Sequence, residues 1–150
     1  MPAITIWAPW GSLIAHGFKS IETRSHDRFR SLQGHRIAIH QARRCANLRE
    51  VLRVTRHVGA SRAAGWLVSN SIGCPTGAVV ATAFVASVRW LDGSIEDNIA
   101  ACCVTDGTFG LELDKVCALD IPVYTRGHQG IWEWDGHDPY TRQGTQHGAA

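Results

Sequence analysis

Lysine is nearly absent from this chain: Lys19 and Lys115 stand against thirteen arginines in 150 residues. The five cysteines (Cys45, Cys74, Cys102, Cys103 and Cys117) contain no CxxC pair and their number is odd. That argues against a disulfide framework and against a zinc finger, and leaves reduced, mostly buried thiols. Eight histidines include no HxxxH or HExxH spacing, so no metal site and no cofactor are expected. No apolar run approaches the roughly 20 residues of a membrane span. The longest, Ala78 to Val88, is broken by Thr82 and Ser87 and reads as a strand. The N-terminal MPAITIWAPW has no basic segment of the kind that opens a secretory leader. These absences point to a soluble, cytoplasmic protein with no membrane partner.

What is present is ordinary in amount and uneven in distribution. Hydrophobic content is 45% and charged content 19%, the usage of a globular domain, and the length suits a single core. Residues 1–62 carry eleven basic side chains against Glu22, Asp27 and Glu50, a net +8; residues 63–150 carry four basic and ten acidic, a net −6. A basic half of this kind suggests a polyanionic or phosphate-bearing partner, unless its arginines are simply solvated.

Hydrophobic periodicity gives the elements. Ile4 to Trp7 reads as a strand, and Pro9 opens a helix to His16 with Trp10, Leu13 and Ile14 spaced for burial. Gly17 caps that helix, and KSIETRS then alternates, with Glu22 and Arg24 on one strand face. The stretch HRIAIH after Gly34 is a strand whose final His40 is placed to line a pocket. Residues 42–58 have an apolar stripe of Leu48, Val51, Leu52 and Thr55, with Arg44, Arg49, Arg53 and Arg56 largely off it, which predicts an amphipathic helix. Residues 77–91 form a long β-branched strand, and Ser94 with Asp97 is a capping box for a short helix to about Cys103. FGLEL (109–113), KVCALDIPVY (115–124) and GIWEW (130–134) read as three closing strands. One domain is expected over residues 1–136, followed by a loose polar tail over 137–150. The expected class is α+β: a small curved or closed sheet with two or three helices packed outside.

In order along the chain, ITIWAPWGSLIAHGFKSIETR, HRIAIHQARR, GAVVATAFV, FGLEL and GIWEW resemble the ASCH domain, named for homology to the activating signal cointegrator. Its GxKxxExR signature is matched by Gly17, Lys19, Glu22 and Arg24, its PW by Pro9 and Trp10, and its closing G-x-W by Gly130 and Trp132. Trp7 and Ala8 stand where relatives often carry arginine and glutamine. The resemblance implies a PUA-like β-barrel of about five to seven mixed strands, in a superfamily dominated by recognition of nucleic acids and modified bases.

Two functions follow from the resemblance. Some small ASCH proteins are amidohydrolases that remove the acyl group from the exocyclic amine of N4-acetylcytidine; others are assigned RNA binding or ribonuclease activity. On the first reading the substrate is a small nucleoside, Lys19, Glu22 and Arg24 are the catalytic set, and Pro9, Trp10, Ser12 and His40 bind the substrate. A cation stabilises the oxyanion and a carboxylate carries the proton to the leaving amine. Glu22 replaces the threonine that those amidohydrolases carry at this position. On the second reading Arg44, Arg49, Arg53 and Arg56 hold RNA or another single-stranded nucleic acid beside a base-accepting cleft. A third, bland possibility makes Glu22 and Arg24 a salt bridge that closes the barrel mouth.

Overall fold

The computed structural model describes residues 1–45, 47, 49, 52, 61–70 and 74–139. Six strands form one mixed sheet: β1 (Pro2–Ala8), β2 (Ile21–Arg24), β3 (Arg36–Cys45), β4 (Ala78–Leu91), β5 (Thr108–Tyr124) and β6 (Ile131–Glu133). Among the described residues the helices with defined bounds are α1 (Trp10–Ala15), α2 (Ser61–Asn70) and α3 (Ile95–Ala101), with a short 3-10 turn at Arg28–Leu32. The sheet order is β2-β5-β4-β3-β1-β6, with β1 parallel to β3 and every other pair antiparallel. No helix among the described residues is long and apolar enough to cross a membrane.

The α+β class matches the sequence reading, but the sheet is curled and open, not a closed barrel. Its edges are β2 and β6. Closure fails because β6 is three residues long and covers β1 only over Pro2, Ala3 and Ile4. From Thr5 onward β1 has no second strand partner among the described residues.

Curvature comes from irregularities in register. The β4–β5 ladder shifts three times, and Lys115 takes the left-handed region at φ 46°. Extra residues of this kind bend a strand while keeping it paired. Residues 109–113 and 115–124, read from sequence as two strands, are therefore the two halves of β5. The predicted helix over 42–58 is also revised at its start. Residues 42–45 extend β3, held by Cys45 pairing with Ala8 and by the Gly77 amide donating to the Gln41 carbonyl at 2.7 Å.

The concave face holds the main core, with Ile4, Ile37, Ile39, Val85 and Leu111 packed around Ile14 of α1. Leu13, on the other side of α1, packs with Ala63 and Leu67 of α2 and with Cys102. Truncating either α1 residue to alanine costs about 2–5 kcal/mol. On the convex face Ala3, Ala38, Val79 and Trp134 form a second cluster. Asp138, assigned from sequence to the loose tail, is buried and ion-paired to Arg36. The packed body therefore runs past residue 136; residues 140–150 lie outside the described residues. The Ser94 cap is as expected, its Oγ accepting from the Asp97 amide at 3.2 Å.

Candidate functional site

The GFKSIETR segment begins where α1 ends. Gly17, at φ 75°, turns the chain, and the amides of Phe18 and Lys19 donate back to the Leu13 carbonyl at 2.9 and 3.1 Å. The turn brings Lys19, Glu22 and Arg24 together. Lys19 is only 4% exposed; its Nζ donates at 2.7 Å to the carbonyls of Ile21 and of Ala101, the last residue of α3. It also lies 3.4 Å from Glu22 Oε2. Glu22, equally buried, has its other oxygen 3.3 Å from an Arg24 terminal nitrogen. The three charges alternate in sign, so the buried carboxylate is compensated on both sides.

Lysine has three N–H donors. Two carbonyls take two of them, the Glu22 carboxylate is an ion-pair partner, and the ammonium sits favourably at the C-terminal end of α3. Arg24 goes further. Its terminal nitrogen donates to the Thr5 carbonyl at 3.3 Å, and its guanidinium lies over the Phe29 ring at 4.7 Å. Its Nε is buried with no hydrogen-bond partner among the described residues.

The residues expected on α1 are engaged elsewhere. Pro9 is buried, and Trp10 is packed against both the main core and the α1–α2 cluster. Ser12 is 3% exposed. Its amide donates to Gln41 Oε1 at 2.7 Å and its hydroxyl accepts from Gln41 Nε2 at 2.8 Å. Beside it, a polar crevice of about 160 Å³ runs between His16, Trp66 and Cys74. Burial raises the Cys74 thiol pKa above its ordinary value.

His40 is not with the motif residues. It lies on the convex face directly opposite Thr5, in a cleft of about 410 Å³ that Arg43, Arg126 and Gly127 also line. The ring is 2% exposed, and its Nε2 lies 3.1 Å from the Thr125 carbonyl. A carbonyl only accepts, so Nε2 carries the proton and the neutral ring leaves Nδ1 as an acceptor. Nδ1 is buried with no partner among the described residues. Desolvation lowers the His40 pKa, and His128 adds to that, against the opposing hydrogen bond to Thr125. Trp132 closes this wall, its Nε1 donating to Thr5 Oγ1 at 3.2 Å and its edge meeting the His40 ring.

Of the arginines expected on a basic helix, Arg44 is on β3 with its guanidinium carbon 3.4 Å above the centroid of the Trp7 ring. Arg49 is helical and exposed; Arg53 and Arg56 lie outside the described residues. Sequence reasoning missed Thr5, Trp7, Arg43 and Arg126. Alternation in β1 carries the sign for two of them, since Ile4 and Ile6 point inward and so turn Thr5 and Trp7 outward. Nothing local marks Arg126, which reaches the cleft only through the β5–β6 connection.

The ASCH domain family model matches residues 4–105, two thirds of the chain. The chain belongs to the ASCH family. That family is RNA-binding and hydrolase-like in character. Among solved structures, an ASCH protein from Zymomonas mobilis is similar at 12% identity over 89% of this chain and 87% of that one, with TM-score 0.53. Its tyrosine-to-phenylalanine variant gives 13% identity, 97% and 96% coverage and TM-score 0.55. At this identity the likeness is one of fold. No curated protein matches the chain.

Proposed function

We propose that this ASCH domain binds single-stranded nucleic acid on its convex face, with RNA the expected form in view of the family. The observation that carries the reading is the Arg44 guanidinium stacked 3.4 Å over Trp7, a ring that is 49% exposed. A cation held on an exposed indole offers phosphate attraction and a π surface together, the combination that single-strand binders use. Arg43 and Arg126 lie along the same face at the His40 cleft, so the platform continues into a basic groove. Titrating a short fluorescent oligoribonucleotide with the protein, over a salt series, tests this. Saturable, salt-sensitive binding that weakens in Trp7→Ala is expected; no binding at low salt overturns it.

The second reading, hydrolysis of N4-acylated cytidine at the motif, is favoured by the proximity of Glu22 to Lys19 and Arg24. There Glu22 would relay the proton and a cation would meet the oxyanion. It ranks second because two Lys19 donors are engaged by backbone carbonyls, its charge is paired with Glu22, and the side chain is nearly sealed from solvent. Incubation with acylated cytidines, followed by ultraviolet absorbance, tests it directly. Turnover that disappears in Glu22→Gln would restore it to first place.

A further inference from the structure

The cleft beside His40 has walls that only particular residues permit. A Cβ on Gly127 would overlap Cε1 and Nδ1 of His40 and come within 2.8 Å of Thr5 Oγ1. A Cβ on Gly77 would lie 2.9 Å from the Arg43 Cγ, so the arginine stem lies across that glycine. Gly77 also has φ 69°, a conformation that favours glycine. Both glycines thus let the His40 ring and the Arg43 stem pack directly against backbone at the cleft wall, and Arg43 and Arg126 line the cleft. No carboxylate lines it, and neither Arg43 nor Arg126 has an ion pair among the described residues.

We propose that this cleft is a nucleotide-sized phosphomonoester site, in which Arg43 and Arg126 hold the phosphate of a nucleotide, free or at a strand end. The proposal rests on the nucleic-acid reading above and specifies which part of the ligand seats in the cleft. Its volume of about 410 Å³ falls at the lower end of the usual range for small-molecule pockets and suits one nucleotide, not a strand. A phosphomonoester carries about −1.5 to −2 charges at pH 7, which two guanidinium groups balance. Guanidinium also matches phosphate oxygens with paired donors.

His40 contributes position and no charge. Its Nε2–H holds the Thr125 carbonyl, and thereby the connection that carries Arg126, against the sheet. Thr5 Oγ1 accepts from Trp132 and so has its own proton to donate to a phosphate oxygen. Donors thus converge from β1, from β3 and from the β5–β6 connection, three segments distant in sequence.

The test uses eight-nucleotide oligoribonucleotides with 5′-phosphate, 3′-phosphate or hydroxyl ends, and uridine monophosphate against uridine and inorganic phosphate, measured by calorimetry. A phosphorylated end or the free monophosphate should bind about tenfold or more tighter than its hydroxyl counterpart, the effect of one or two charge-assisted hydrogen bonds. The Arg43→Gln/Arg126→Gln double variant, changed only at exposed positions, should abolish that preference; Gly127→Ala, whose Cβ collides with the His40 ring and so displaces the connection that carries Arg126, should do the same. A tighter strand end identifies nucleic-acid termini as the ligand, and a tighter free monophosphate identifies a small nucleotide. If all oligonucleotides bind equally and the monophosphate does not bind, the phosphomonoester site is overturned while nucleic-acid binding stands. If only the monophosphate binds, and needs both arginines, the site stands and the nucleic-acid reading falls. Absence of all binding overturns both, as would a phosphate preference that survives in the double variant.

Discussion

Arg24 donates across the open seam of the sheet to the carbonyl of Thr5, 3.3 Å away. Thr5 is the first residue of β1 beyond the reach of β6, and Arg24 is the last residue of edge strand β2. A side chain therefore does at the seam what a ladder of backbone bonds would do in a closed barrel. Arg24→Lys should keep the charge beside Glu22 but shorten the reach and lose the planar donor set. A loss of about 1.5–3 kcal/mol is expected, as for one charged hydrogen bond. Urea unfolding measures it. Hydrogen exchange should also speed up in Thr5–Ala8, and unchanged exchange there would mean that Arg24 does not tie the seam.

Lys19 links three elements from a buried position, so its replacement carries a structural penalty that the sequence alone did not reveal. Lys19→Met removes the partner of Glu22 and leaves the Ile21 and Ala101 carbonyls without their donor. Breaking a buried ion pair on one side costs about 3–5 kcal/mol. The double variant Lys19→Met/Glu22→Leu should recover part of that loss, because it removes the uncompensated carboxylate as well. Urea midpoints for the single and double variants decide it. A single variant as stable as the parent would show that the ammonium is dispensable for the fold.

Much of the fold was legible because its signals are local. Alternation marked β2, the β-branched run marked β4, and Ser94 with Asp97 marked the start of α3. The merging of two predicted strands into β5 was hidden because a left-handed Lys115 looks like a break in sequence and is a bend in space. The start of the 42–58 helix was misplaced because Ala42–Cys45 is fixed by β1 and Gly77, which are distant contacts. At the site, GxKxxExR announced that Lys19, Glu22 and Arg24 meet. The His40 cleft combines residues from positions 5, 40, 43 and 126, and no spacing rule joins those.

Electrostatic binding on the convex face has a defined salt signature. If Arg43, Arg44 and Arg126 each meet a phosphate, the logarithm of affinity for single strands should fall with log salt at a slope near −2, about −0.7 per contact. Arg44→Gln should flatten that slope by about 0.7 and also remove the cation over Trp7. Polarisation titrations between low and moderate salt provide the numbers. A slope that is the same in the variant would remove Arg44 from the interface.

Acid sensitivity should centre on Arg89, which donates to both Asp97 oxygens, at 2.5 and 3.0 Å, and to Glu112 at 2.6 Å. The hydrogen bonds from Arg89 hold the Asp97 pKa below its ordinary value; those from Ser87 and then Arg89 do so for Glu112. Depressed carboxylate pKa values contribute stability above the unfolded values near 4, and it is lost as pH falls through the folded ones. Arg89→Met should therefore reduce stability at pH 7 and leave a shallower decline below pH 4. A parallel decline in parent and variant would exclude this cluster as the acid-labile element.

His40 should set the pH response between 5 and 7. Burial lowers its pKa, so the folded protein holds the ring neutral while the unfolded chain protonates near 6.5. The unfolded state then binds more protons, and stability present above about pH 6.5 is lost as pH falls toward the folded value. A second proton on Nδ1 would face the Gly127 backbone in place of an acceptor, with His128 opposing the added positive charge. The ring would be released and the Thr125–Gly127 connection freed from the sheet. His40→Gln keeps a polar group and cannot titrate, so its stability should be lower at pH 7.5 but flatter from there to pH 5. Urea unfolding of both proteins at half-unit intervals separates the curves. Matching slopes would show that another group titrates there and that His40 is not what holds the connection closed.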